Sequence, residues 1–128
     1  MVLEYTEKVC DVHPFSESYQ PLTLVPIAKV ATVYDHPLTG ETLILIFGQA
    51  LYLGDQLEHT LICPNQAHYN NIIIDDAPIH LSHIYFPDDN IRLPLQLRGI
   101  ISYIDSQFPT KHEINNCWWL IVTGDDDW

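Results

Sequence analysis

Apolar and polar side chains alternate from Ile91 to Arg98, with Ile91, Leu93, Leu95 and Leu97 interleaved with Arg92, Pro94, Gln96 and Arg98. A two-residue period sends the two sets to opposite faces of an extended chain, so the stretch predicts a half-buried strand. Pro94 has no N–H to give to a ladder, which directs that strand to the edge of a sheet. Earlier in the chain the pattern is continuous: Glu41-Thr-Leu-Ile-Leu-Ile-Phe47 is a β-branched and aromatic run of strand length. It is preceded by Thr23 to Val33, rich in Val, Ile, Leu and Thr and interrupted by Pro26, and the intervening Tyr34-Asp-His-Pro-Leu-Thr-Gly40 is a cluster of turn formers. Two strands with a polar connection predict an antiparallel hairpin. Gly48 breaks the run and Gln49-Ala-Leu-Tyr-Leu53 resumes it, predicting a third strand or a bulged continuation of the second.

Helices have little room, because nine prolines are spread through the chain. In Leu61-Ile-Cys-Pro-Asn-Gln-Ala-His-Tyr-Asn70, Pro64 suits a first helical turn and Asn70-Asn71 a stop, so one or two turns are predicted. Ile72 to Asp75 returns to strand. Asp76 to Asn90, with its Asp, Pro and His, predicts a surface excursion in which Ser82 to Phe86 pairs at an edge. Gly99 separates the alternating strand from Ile100 to Ile104. Thr110-Lys-His-Glu113 matches a capping box after Pro109 and predicts a short helix to about Asn116. Cys117 to Thr123 is the last strand, on which Trp118 and Trp119 should point to opposite faces, one into the core and one outward.

Composition narrows the function classes. The 128 residues fit one domain, and with 47% hydrophobic and 17% charged side chains the chain has enough apolar surface to fold. Seventeen acids against five bases give a formal charge of −12, a field that repels phosphate backbones and anionic lipid alike. No direct nucleic-acid binding is expected of the domain, and no membrane contact: the longest apolar run, Leu43 to Phe47, is too short to span a bilayer. No export signal is visible, and three scattered cysteines without a CxxC pair fit a reducing compartment, so a cytoplasmic protein is expected.

Candidate chemistry is sparse. Seven histidines invite a metal reading, with His59, Cys63 and His68 as the best cluster and His80 and His83 beyond it. Zinc needs a tetrahedral set drawn from tight pairs, and a fourth ligand here would have to be remote, such as Cys117. Solvated histidines and a buried structural thiol at Cys63 are expected instead, with no metal and no cofactor. The acid pairs Asp75-Asp76 and Asp88-Asp89 and the terminal Asp125 to Asp127 sit at turns or ends, where solvated carboxylates are the ordinary outcome. Phosphate-cradling glycine motifs and a nucleophile elbow are absent from the sequence.

Three stretches carry a resemblance: Val33-Tyr-Asp-His-Pro-Leu-Thr-Gly-Glu-Thr42, Leu57-Glu-His-Thr-Leu-Ile-Cys-Pro-Asn-Gln66 and Ile91-Arg-Leu-Pro-Leu-Gln-Leu-Arg-Gly99. Together they resemble the protease-like region of copia-type retrotransposon Gag-Pol polyproteins, over roughly Thr23 to Trp128. The resemblance implies a retropepsin-like fold, mainly β, as a small closed barrel or an antiparallel sheet with one or two short helices. It implies an N-terminal segment over 1–22, a flap-like hairpin and core strands over 23–75, and a C-terminal extension over 76–128. By it, Leu24, Val25, Pro26, Ile27 and Ala28 fall in the flap, Leu61 and Ile62 form the core hydrophobic pair, and Pro64 to Tyr69 form the short helix. The sequence departs from the family at its start, since no Asp-Ser-Gly or Asp-Thr-Gly occurs and the nearest acid, Asp11, is followed by Val12-His13. Aspartic proteolysis needs two carboxylates sharing a site, so no catalytic residue is assigned and this chain is expected to be inert. Met1 would then mark a fragment whose catalytic loop lay upstream, and restoring that loop would give an aspartic endopeptidase. The second expectation is a small β interaction or dimerisation module, using the Ile91 to Leu97 edge and the tryptophan pair, with protein partners by self-association or within a polyprotein.

Overall fold

The computed structural model describes residues 1–12, 22–52, 62–75, 82–98 and 101–125. The long strands β1 (Val2–Val12), β2 (Leu22–Asp35) and β3 (Thr42–Leu51) are followed by helix α1 (Pro64–Tyr69) and three short strands, β4 (Ile73–Asp75), β5 (His83–Phe86) and β6 (Ile91–Pro94). Strands β7 (Gln96–Arg98) and β8 (Ile101–Tyr103), helix α2 (Lys111–Asn116) and strand β9 (Trp118–Thr123) complete the chain. Sheet order is β1-β2-β3-β9 in the main sheet, β4-β5-β6 in a second and β7-β8 in a third. The molecule is therefore mainly β with two short helices, and its sheets are open: no closed barrel forms among the described residues.

Strand β3 explains the arrangement. Leu43 to Gln49 are all buried, which a continuous apolar run can satisfy only with cover on both faces. On one face Leu43, Leu45 and Phe47, with Leu120 and Val122 of β9, pack against Ala67 of α1, Ile72, Ile84 and Phe86 of β5, and Leu93 of β6. On the other face Ala31, Val33, Ile44 and Ile46 meet Leu3, Ile114 and Cys117. The hairpin partner β2 runs antiparallel to β3, while β9 runs parallel to it on the far side.

Local chemistry fixes the turns. At the β2–β3 turn, buried His36 accepts backbone N–H bonds from Leu38 and Thr39 at Nδ1 (3.1 and 3.3 Å) and reaches the Arg92 carbonyl from Nε2 at 2.7 Å. A carbonyl only accepts, so the ring proton sits on Nε2, and this one side chain ties the hairpin tip to the second sheet. Pro64 opens α1, and Asn71, at φ +60°, ends it in the left-handed region that Asn tolerates. Thr110 and Glu113 form the complete capping box at α2. In β3 the register slips by one residue between the Ala28–Ala50 and Val30–Phe47 pairs, so the strand continues past Gly48 through a bulge.

Several expectations are corrected. β5 lies in the middle of the second sheet, not at an edge, and buries Ile84 and Phe86, because β4 and β6 pair on its two sides. The alternating stretch divides at Leu95, whose N–H goes to the Ser82 carbonyl, and β7 leaves with β8 as a separate ribbon. Pro94 does lie on an edge strand. Neither Trp118 nor Trp119 is buried: Leu120, Val122 and Thr123 take the core side of β9. Cys63 is exposed, not a buried thiol, since it stands just outside α1 as its N-cap residue. β1 has no counterpart in the sequence reading; its outer position leaves Tyr5 and Val9 exposed, which erases the alternation that would announce a strand.

Two outcomes follow for stability. A Cβ at Gly48 would collide with the Gly124 carbonyl, so Gly48→Ala should lower the urea unfolding free energy by about 1–3 kcal/mol, the usual cost of overpacking. Burial raises the Tyr34 phenol above the ordinary tyrosine value of 10.0, and the Asp105 carboxylate adds to the rise. Above pH 10 the unfolded chain loses this proton before the folded one does, so stability is full below that pH and falls as pH climbs past it. Tyr34→Phe should flatten that alkaline fall in a pH series of thermal melts.

Candidate functional site

Among the described residues, those singled out in the sequence are not gathered into one site. Leu24, Val25, Pro26, Ile27 and Ala28 form the early part of β2, where Val25 pairs with Cys10, Pro26 with Val9 and Ala28 with both Tyr5 and Ala50. Leu24 has φ +54° and is exposed, and its N–H is held by the Asp11 carboxylate at 2.9 Å. Ile62 packs at the margin of the main core; Leu61 and His59 lie outside the described residues. Cys63 and His68 are both exposed, and among the described residues no three His, Cys, Asp or Glu side chains gather as a metal-binding group.

A shallow polar depression of about 230 Å³ lies among Glu4, Thr6, Lys29, Gly48, Gln49 and Asp125. Its polar groups already have work within the chain. Thr6 Oγ1 donates to the Ile27 carbonyl (2.7 Å), Gln49 Nε2 to the Asp125 carbonyl (2.7 Å), and Lys29 Nζ meets the Asp125 carboxylate at 3.2 Å. Gly48 N–H donates to Thr123 Oγ1 at 3.0 Å. These bonds strap residues 123–125 across Gly48, which lacks the Cβ that would obstruct them, so the depression serves as an anchor for the chain after β9.

A different surface stands out on β9. Parallel pairing sets Trp119 beside Ile44 and Ile121 beside Ile46, so both belong to the face covered by α2. The cover does not extend to them: Trp119 is 42% and Ile121 52% exposed, with Trp118 at 49% on the opposite side of the strand. Trp119 is oriented, because its Nε1–H donates to the Ile114 carbonyl at the end of α2 (2.9 Å). β9 is an edge strand, yet its outer edge is not open along its length, since Asn70 Nδ2 reaches the carbonyls of Ile121 (3.0 Å) and Val122 (3.4 Å). What remains is a side-chain ridge with its later edge plugged. The adjacent tryptophans were a visible signal of it; Ile121 was not, because alternation assigns faces without saying which part of a face is covered.

The chain as a whole is strongly acidic, with a formal charge of −12. Arg92 lies 4.5 Å over the Tyr85 ring and Arg98 5.6 Å over the Tyr103 ring, so two of the five bases are held on aromatic faces and Lys29 is engaged by Asp125. The acids remain in large excess. Two copies of the 128-residue chain in contact, about 35 Å between centres, would repel by roughly 15–20 kcal/mol unscreened and by no more than about 1–2 kcal/mol at physiological salt. No helix among the described residues is long and apolar enough to cross a membrane.

Comparison with protein-family models, with curated proteins and with solved structures finds no match to this chain.

The Lys29–Asp125 pair is exposed, so Asp125→Asn should cost less than about 1 kcal/mol, and that cost should vanish in high salt, while the backbone bond from Gln49 keeps the strap in place. Urea titrations at two ionic strengths check this.

Proposed function

We propose that this chain is a protein-docking β domain that performs no catalysis of its own and engages its partner through the β9 ridge. The observation that carries the reading is the pair Trp119 and Ile121, half-exposed side by side on one face of an edge strand whose other face is core. Tryptophan is among the residues that supply most of the energy of protein interfaces, since it combines a large apolar area with little conformational freedom to lose. The exposed surface of Trp119 and Ile121 together is on the order of 200 Å², a contiguous apolar patch of the kind that seats a few partner side chains. Such a patch suits a small, transient interface.

The absent Asp-Ser/Thr-Gly loop supports the non-catalytic half of the reading. Descent from the protease-like region of a copia-type polyprotein is supported by the three matching sequence stretches, and a domain that has lost its catalytic loop can keep a surface for binding. Strand addition along the whole of β9 is disfavoured, because Asn70 occupies the carbonyls of Ile121 and Val122. Contact is therefore made by side chains on the ridge.

The neutral dye Nile red tests the surface directly. Its emission should rise with the wild-type chain and fall several-fold for Trp119→Ser/Ile121→Ser, which keeps the domain folded by circular dichroism at a cost of about 1–2 kcal/mol per site, since each side chain is half buried and Trp119 loses its bond to Ile114. Equal emission from both proteins would rule out the ridge as an apolar docking surface. Cleavage of an acid-optimum aspartic-protease substrate by the purified chain would overturn the non-catalytic assignment.

A further inference from the structure

We infer that the partner seated on the β9 ridge is a basic protein segment, with apolar residues over Trp119 and Ile121 and a Lys or Arg further along, rather than a second copy of this chain. The inference rests on the docking reading above and adds the chemistry of the occupant.

Two features of the ridge point to such a segment. The Trp119 ring is held in one orientation by its bond to the Ile114 carbonyl and is 42% exposed, an ordered platform for an apolar side chain of the partner. Following the strand toward its C-terminus, the ridge passes Ile121 and runs out at Asp125, whose side chain is 70% exposed even while it bridges Lys29. β9 ends at Thr123, and Asp125 lies over Gly48 of β3. From Ile44, which pairs with Trp119, to Gly48 an extended strand covers roughly 13 Å. A partner in extended conformation, lying along the ridge, would thus bring an apolar anchor and a cation to complementary positions about four residues apart.

The competing occupant is disfavoured by the same charges. A second copy carries another −12, and three of its five bases are engaged: Lys29 by Asp125, Arg92 over Tyr85 and Arg98 over Tyr103. Nothing comparable opposes a basic segment. Its approach is speeded by the acidic field, and its selection against neutral or acidic segments weakens as salt is added.

The test uses the full chain and three fluorescein-labelled peptides of equal length in which Leu alternates with Lys, Ser or Glu, read by fluorescence anisotropy. At low salt the Lys-Leu peptide should bind about tenfold or more tightly than the Ser-Leu peptide, a gap of at least about 1.4 kcal/mol, and the Glu-Leu peptide should bind least. The gap should narrow at about 0.3 M salt, where the screening length is only several ångströms. Trp119→Ser/Ile121→Ser should weaken the Lys-Leu peptide about tenfold, and Trp119→Lys, which keeps a long side chain but reverses the preference, should weaken it further. Equal, Trp119-dependent binding of the Ser-Leu and Lys-Leu peptides would overturn the basic partner and leave the docking ridge standing. Lys-Leu binding that the double variant does not change would place the attraction elsewhere on the acidic surface and overturn the inference. If none of the peptides binds, the docking reading falls with it.

Discussion

The fold depends on one constraint: β3 must be hidden from water on both faces. Leu43, Ile44, Leu45, Ile46 and Phe47 are consecutive, so in an extended chain they point alternately up and down, and no single apolar layer can cover them. Each side chain of this size contributes about 1.5–3 kcal/mol when fully buried. The chain meets the demand with two unlike layers. The second sheet and α1 close one face; Leu3, Ile114 and Cys117 close the other. Parallel pairing with β9 belongs to the same solution, because it protects the open edge of β3 and contributes Leu120 and Val122 to the larger core.

How much of this the sequence announced depends on whether the signal was local. The hairpin, the bulge after Gly48, the proline-led α1, the capping box before α2 and the edge position of Pro94 all follow from residues within a few positions of one another. The placement of β5 does not. His83, Tyr85 and the surrounding Asp and Pro look like a surface loop, and only pairing with β4 and β6 buries Ile84 and Phe86. β1 was silent for the opposite reason: an outer strand with one neighbour needs no regular apolar face. At the ridge, the two tryptophans were legible as an interface candidate, but the expectation that one of them fills the core failed, because Leu120 and Val122 already occupy the inward positions of β9.

The site reading has the same local and non-local parts. Net charge is a property of composition and acts in the same sense in any fold. The ridge is a property of how far α2 reaches across a sheet face: Ile114 touches Trp119 through one hydrogen bond and stops short of Ile121. A helix one turn longer would have covered both and left an ordinary protected sheet. The short helix leaves apolar side chains near the Asp125 carboxylate, and that juxtaposition, more than either component, gives the surface its chemical character.

Asn70 has a further consequence. Trp118-Trp-Leu-Ile-Val-Thr123 is an uncharged, proline-free stretch of six residues with high strand propensity, the composition that stacks into cross-β fibrils when its backbone is open to other molecules. In the folded chain β3 takes one side of it and the Asn70 amide seals two carbonyls on the other. The six-residue helix α1 is thus the guard of an amyloidogenic segment: local unfolding of α1, without any loss of the main core, would be enough to uncover a seed.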